Sequence, residues 1–448
     1  MKTYHVFEYG YLSPSKLDDP RCIAIPKAAF DYLEECCLSQ SDQGGADLPF
    51  LQYRSLRGNK VIQVKNYVGI LSTPQGVQIE VLPKIGKTGN GEEGIFQSRR
   101  KLLTMLSALR DFKHLETEAA NVATTRLPLF EVFIGQFLNS VNNLVKQGLR
   151  SDYVAKQDNL NFQKGKLLVA QQLKHNLTKP HKFCVEYDEY LQNRPENRLL
   201  HSALKKVAGY TGSIAHQRLC RELDFAFSDV PLSLNVKRDL AAVRLDRGMN
   251  YYQAPLDWAA MILEGITPMS MQGSVNAVSL LFPMEKVFEA YVAKILRRQL
   301  KPEYQLQTQA SSKALVSHGQ RDFFRLMPDL LIRQGNLDRI VLDTKWKLID
   351  SSKSTTSDKY GLSQADFYQM FAYGHKYLNG EGELYLIYPA HDDFNQPIEL
   401  SFDFSFHDNG ETKLTLWVVP FCVAPIAENS RLKLPVNCSL VTNGYLKD

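Results

Sequence analysis

Residues Phe323 to Lys347 read FFRLMPDLLIRQGNLDRIVLDTKWK, two apolar runs on either side of Gly335-Asn336. Apolar runs flanking a Gly-Asn pair predict a β-hairpin. Its strands are expected over Phe323–Arg333 and Arg339–Lys347, carrying Pro328-Asp329 on one and Asp343-Thr344-Lys345 on the other. Side chains alternate faces along a strand, so Asp343 and Lys345 point one way and Thr344 the other. A three-residue loop at Gly335–Leu337 sets Asp329 directly opposite Asp343, with Cβ atoms about 5 Å apart. A two-residue turn offsets the pair by one position unless a bulge restores it. The spacing therefore predicts two carboxylates and one ammonium on a single face of a twisted ribbon.

Two carboxylates held that close repel each other, and a divalent cation relieves the repulsion. Hard oxygen ligands with incomplete coordination suit Mg2+, with Mn2+ as a substitute. An ammonium beside the cation can orient or deprotonate water and offset charge developing on phosphorus. Taken alone, D-x-K fits an ordinary surface hairpin with a salt bridge, so its neighbours decide its weight. After Pro283 a helix is expected over Met284–Leu300, with Glu285 and Glu289 one turn apart. Glu289 lies between Phe288 and Tyr291, close to an apolar face that includes Val287, Val292 and Ile295. It is a candidate metal ligand, directly or through water; an ordinary helix-surface glutamate is the competing reading. A second helix is expected over Gln364–Leu378, with Ser363 as its cap and Asp366 at the capping-box position. It sets Gln369 and Tyr373 one turn apart, Gln369 to bond a phosphate or the metal's water and Tyr373 to pack beneath it or at the core edge. With an extended segment at Tyr304–Ala310 and a strand at Glu383–Tyr388, the element order is α-β-β-β-α-β.

The remainder of the chain sets the frame for this constellation. Its 448 residues are 44% hydrophobic and 23% charged with a net charge of +5, enough apolar content for two to four folded domains and no sign of a disordered polyampholyte. No apolar run reaches the roughly 18 residues of a membrane span. The longest candidate, Leu414 to Ala427, is broken by Pro420 and Pro425 and reads as a buried strand. The opening MKTYHVFEYGYL lacks the apolar core of a signal peptide. The seven cysteines include no CxxC pair, which fits buried thiols in a reducing cytoplasm better than disulfides or a zinc site.

Lys60–Leu71 and Val77–Leu82 are expected to pair as a hairpin around Ser-Thr-Pro-Gln-Gly, followed by a Gly-rich loop from Gly86 to Gly94. Gly86-Lys87-Thr88 matches the second half of a phosphate-binding loop, but Val81 stands where the first glycine belongs and sits in a strand. This chain is therefore expected to bind no nucleotide. From Arg99 to Ala260 the pattern is mostly helical, over Lys101–Leu109, Leu129–Leu149 and Glu196–Val207. Lys146 to Lys182 carries eight Lys/Arg against Asp152 and Asp158, either a solvated face or a phosphate- or partner-contacting one. A composition shift at Thr267–Gly273 marks a boundary. The expected class is α/β (α+β multidomain): a β-rich domain over residues 1–98, a mostly helical middle over 99–272, and an α/β domain over 273–448.

In that element order, Glu289, Pro328-Asp329, Asp343-Thr344-Lys345 and Gln369-x-x-x-Tyr373 resemble the PD-(D/E)xK nuclease superfamily, the last element its RecB-like branch. Five stretches are similar to the McrC family. They are VKNYVGIL…IEVLPKIG (Val64–Gly86), VKQGLRSDY (Val145–Tyr153) with QKGKL (Gln163–Leu167), NRPENRLL (Asn193–Leu200), FPMEKVFEAYV (Phe282–Val292), and VLDTKWK with DFYQMFAYGHKY (Val341–Lys347, Asp366–Tyr377). The resemblance implies a restriction-endonuclease-like C-terminal domain in the nuclease subunit of a McrBC-type 5-methylcytosine restriction system. It implies Mg2+-dependent DNA endonuclease chemistry, with Asp329, Asp343, Thr344 and Glu289 about the metal, Lys345 serving the water, and Gln369 and Tyr373 assisting. It further implies a GTP-dependent McrB-like AAA+ partner that reads modified double-stranded DNA and whose GTPase this subunit stimulates. One such site cuts one strand, so a double-strand break calls for a McrC–McrC dimer or two collisions. Two other classes stand beside this one. A non-catalytic adaptor bridging AAA+ rings has no use for the acid and lysine set. A stand-alone RecB-like repair nuclease needs no motor; Cys422 and Cys438 lack the companions of an iron–sulfur cluster.

Overall fold

A computed structural model describes residues 2–42, 50–85, 91–109, 127–264, 280–319, 321–404, 414–424 and 429–447. They fall into two compact units, Phe130–Ile266 and the combination of Lys2–Leu129 with Thr267–Asp448. This differs from consecutive domains ending at 98, 272 and 448, because segments from both ends of the chain share one sheet. The Gly-rich segment 86–90 and the boundary at 267–273 lie outside the described residues.

The first part of the larger unit runs β1 (Lys2–Phe7), β2 (Tyr11–Ser13), β3 (Cys22–Ala24), α1 (Lys27–Asp42), β4 (Leu51–Leu56), β5 (Asn59–Val64), β6 (Tyr67–Ser72), β7 (Val77–Leu82) and α2 (Glu92–Leu106). The expected hairpin is present as β6 and β7. The run Lys60–Leu71 is not one strand, however. It changes sheets at Lys65-Asn66, where the Lys65 N–H bonds the Phe50 carbonyl and the Asn66 carbonyl accepts from Met284. β5 joins a sheet of order β3-β2-β5-β4 that packs Leu12, Ile62 and Val64 against Phe30 and Leu33 of α1. Glu92-Glu93-Gly94, expected in a loop, open α2 instead.

The smaller unit contains α3 (Leu129–Gln147), β8 (Asp152–Leu160), β9 (Lys166–Leu167), α4 (Val169–His175), β10 (Phe183–Leu191), α5 (Pro195–Ala208), α6 (Ile214–Ala226), α7 (Val236–Ala242) and α8 (Gln253–Glu264). It is not as helical as its composition suggested, since β8, β10 and β9 form an antiparallel sheet. Much of the basic stretch falls on this sheet and its connections, where Lys156, Lys164, Lys166 and Lys174 are exposed. Glu131 of α3 stays buried by accepting from the Thr211 hydroxyl, the Gly212 N–H and His216 Nδ1 at the start of α6.

The chain returns to the larger unit through β11 (Leu280–Pro283), which adds to the sheet β1-β7-β6-β11. Gly69 permits this pairing: a Cβ there, at φ +127°, would lie 2.0 Å from the Leu280 carbonyl oxygen. Then follow α9 (Met284–Gln299), β12 (Gln305–Thr308), β13 (Lys313–His318), β14 (Arg321–Leu326), β15 (Leu330–Gln334), β16 (Leu337–Thr344), α10 (Gln364–Tyr377), β17 (Gly382–Pro389), β18 (Phe402–Phe404), β19 (Leu414–Cys422), β20 (Arg431–Leu432) and α11 (Ser439–Thr442). The main sheet has the order β12-β15-β16-β17-β19-β18, with β16, β17 and β19 parallel. Its core joins Leu331, Val341, Leu386 and Val418 to Met370, Tyr373 and Tyr377 of α10. The expected strand Phe323–Arg333 is two strands, interrupted at Met327-Pro328-Asp329, and β14 pairs with the unforeseen β13. β19 is buried as expected, and no described helix is long and apolar enough to cross a membrane.

Candidate active site

The β15–β16 turn has two residues, pairing Gln334 with Leu337 and Arg333 with Asp338. A register shift between Ile332 and Arg333 then pairs Ile332 with Ile340 and Leu330 with Leu342. The bulge restores the offset that a two-residue turn introduces, so the residue before β15, Asp329, comes level with Asp343. Asp343 sits on a strand hydrogen-bonded on both sides, to β15 and β17, and is only 1% exposed.

Around this pair the side chains form two linked groups. Lys345 Nζ lies 2.7 Å from Asp343 Oδ2 and donates to Gln369 Oε1 at 3.0 Å. Gln369 Nε2 donates to the Tyr373 hydroxyl at 2.7 Å, and that hydroxyl donates to the Met327 carbonyl at 3.0 Å. The i, i+4 spacing on α10 thus fixes the lysine through an amide and a phenol, and anchors the backbone leading into Asp329. In the second group, Asp329 Oδ2 accepts from the Thr344 N–H at 2.8 Å and its hydroxyl at 2.7 Å. Thr344 was expected to face away from the acidic pair. It ends β16 while Asp329 precedes β15, and beyond the paired residues the Asp329 side chain reaches the threonine. Glu289 Oε1 accepts from Gln309 Nε2 at 2.6 Å, and that nitrogen stands 3.5 Å from Asp329 Oδ1.

The electrostatics follow from this packing. Burial, reinforced by Asp329 and opposed by Lys345, pushes the Asp343 carboxyl up to about 7. Burial also raises Glu289, against the pull of Gln309. For Lys345 the burial that would lower its pKa is outweighed by Asp343, so the ammonium is favoured. Asp343 Oδ2 is buried, with Lys345 Nζ at 2.7 Å. A buried carboxylate beside a second carboxylate fits a hard divalent cation. Among the described residues no three acidic, imidazole or thiol groups already form a metal-holding cluster. Asp343 and Asp329, with Thr344 and with Glu289 directly or through water, are the groups that can hold one.

A family model described as McrBC 5-methylcytosine restriction system component matches residues 62–389, well over half of the chain. The chain belongs to this McrBC family. The matched span contains Glu289, Asp329, Asp343, Thr344, Lys345, Gln369 and Tyr373. No curated protein matches in sequence. Among solved structures, the fold is similar to a half-complex from a tetradecameric assembly of Thermococcus gammatolerans McrB AAA+ hexamers with bound McrC. That likeness has a TM-score of 0.66 at 19% identity and covers 95% of both chains. A cryo-EM structure of the Thermococcus gammatolerans McrBC complex matches with a TM-score of 0.47 at 20% identity, over 66% of this chain and 88% of that one.

Several side chains of this McrBC-family site carry no signal in the sequence. Gln309 links Glu289 to Asp329 from a left-handed backbone position, φ 50°. Asp366 is not the capping residue expected, for Ser363 makes no side-chain cap bond; its carboxylate stands 3.8 Å from Lys345 and accepts from the Tyr388 hydroxyl. Behind Lys345, Trp346 Nε1 donates to both oxygens of Glu8 at 2.9 Å, and Lys84 Nζ donates to the Trp346 carbonyl at 2.9 Å. Burial drives the Glu8 carboxyl up to about 7, against the pull of Lys84 and Trp346.

A folded-state pKa above the ordinary glutamate value means that the folded chain binds the extra proton between about 4.5 and about 7. Stability from this group is present below that window and lost as pH rises through about 7, on the order of 3 kcal/mol in all. Thermal melts from pH 5 to pH 8 should show this decline in the native chain and a flatter profile for Glu8→Gln. Equal slopes would refute it.

Proposed function

We propose that this chain is the nuclease subunit of a McrBC-type restriction system. It hydrolyses phosphodiesters of modified double-stranded DNA with Mg2+ when driven by a GTP-dependent AAA+ partner whose GTPase it stimulates. The observation that carries this reading is the buried Asp343 beside an ammonium that Gln369 and Tyr373 hold in place. Mg2+ bound at Asp343 and Asp329 would supply Lewis acidity and a water of lowered pKa. Lys345 keeps a positive charge next to the acidic pair, where it offsets charge building on phosphoryl oxygens. Gln369 and Tyr373 prevent that lysine from swinging into solvent, and Gln309 keeps Glu289 and Asp329 together. The AAA+ partner is supported by the McrB hexamers with bound McrC to which the fold is similar.

The test is cleavage of methylated duplex by the chain mixed with its AAA+ partner and GTP. Cutting should fall to background when EDTA removes the divalent cation and return on adding Mg2+ or Mn2+. Undiminished cutting in EDTA, or full activity without GTP and the partner, would sink the reading.

A further inference from the structure

β13 and β14 form a two-stranded ribbon that pairs with no other strand among the described residues. It ends at Leu326, three residues before Asp329. Nearly every side chain along it is exposed, with Phe323 at 43% and Phe324 at 74%. Two phenylalanines, with exposed Leu315, Val316 and Met327, leave apolar surface in water along a ribbon whose root is held by Tyr377 donating to the Leu326 carbonyl. The backbone adds a second sign. Phe324 sits at φ 56°, a left-handed conformation that bulky residues avoid, and pairing passes from Ala314–Arg325 to Val316–Phe323 across it.

The two arginines of the ribbon lie on one face. Ala314–Arg325, Val316–Phe323 and His318–Arg321 are cross-strand pairs at alternate positions, so Arg321, Arg325, His318 and Phe323 share one side. Asp322 belongs to the other side with Lys313, its carboxylate accepting from the Ser317 hydroxyl at 3.0 Å. The root of the arm is tied to the site, because the Met327 carbonyl accepts from Tyr373, which holds Gln369 and through it Lys345.

We propose that this ribbon is a DNA-gripping arm: Arg321 and Arg325 on backbone phosphates of the duplex, and Phe323, on the same face, against the base edges beside the cutting site. The inference rests on the nuclease reading for its choice of ligand. A basic face interleaved with aromatics and leading directly into Asp329 matches a phosphate backbone better than a protein surface.

The test is fluorescence anisotropy of the full chain with a labelled duplex, without divalent cation, over a range of salt. The native chain should bind at low salt. Arg321→Ala should weaken binding and reduce the slope of log affinity against log salt by about one. Phe323→Ser should weaken it roughly ten-fold or more at unchanged slope, and Phe323→Tyr should keep it. Melting temperatures should match the native chain for all three, since these side chains face solvent. Native-like binding by Arg321→Ala and Phe323→Ser would overturn the proposal, as would no binding by the native chain. So would loss only of partner assembly or GTPase stimulation, which would make the arm a protein-docking surface. Asp343→Ala, assayed for cleavage with the partner, GTP and Mg2+, separates the two readings: if it still cuts, the nuclease reading fails independently of the arm.

Discussion

Asp343→Ala should reduce DNA cleavage to background, a loss on the order of a thousand-fold or more, while partner assembly and GTPase stimulation stay at native levels. The position is 1% exposed, on a strand bonded on both sides, so no neighbouring acid can move in to replace the carboxylate. Asp366 is 3.8 Å from Lys345 but hangs from α10, bonded to Tyr388. Asp329 is committed to Thr344. The variant should not be inactive through unfolding. A carboxyl pushed up to about 7 by burial costs stability at neutral pH, and removing it lifts that cost. Lys345 keeps Gln369 as an acceptor. A melting temperature at or above the native one, together with lost cleavage, would mark a chemical defect. Retained cleavage would remove Asp343 from the mechanism.

Local chemistry is what the amino-acid sequence makes legible here. Gly335-Asn336 announces its turn, and apolar spacing places α9 and α10 within a residue of their observed ends. The level placement of Asp329 and Asp343 could be worked out from register alone, though the turn is one residue shorter than expected and a bulge compensates. What stays hidden is long-range or solvent-facing. Glu8 meets Trp346 across 338 positions, and no pattern near either residue announces the contact. β13 is missed because the alternation of a strand is recognised by its buried face, and this ribbon has none; β14 is merged with β15 because Pro328 is read through rather than as the break it makes. The two compact units differ from the expected three-part division for a similar reason. β11 lies far along the chain from β6, and the glycine that admits it, Gly69, looks like any other glycine in a strand.

Arg99→Ala should cost the larger unit about 3–5 kcal/mol, enough to unfold many domains of marginal stability. Glu80 on β7 is 1% exposed and Arg99 on α2 is 4% exposed. The guanidinium reaches both oxygens, Nε to Oε1 at 2.6 Å and Nη2 to Oε2 at 2.8 Å, and His5 Nε2 stands 3.2 Å from Oε2. Burial alone would raise the Glu80 carboxyl, but Arg99 and His5 outweigh it and hold it below the ordinary value. In the native chain this group therefore stabilises above the ordinary glutamate pKa, and that contribution disappears as pH falls through the folded-state value. Without Arg99 the sign should reverse. The carboxylate is left buried beside a single imidazole, its pKa rises, and the variant gains relative stability as pH falls. Arg99→Lys should rescue only part of the loss, because a point charge cannot bond both oxygens in a plane. Replacing both partners, as Glu80→Gln with Arg99→Met, should recover more than either single change, since it is the orphaned charge and not the lost pair that does the damage. Urea unfolding at pH 7.5 and pH 5 reads each of these variants. An Arg99→Ala chain with native stability at both values would mean that water reaches Glu80, and that the larger unit is less closed at this point than its packing implies.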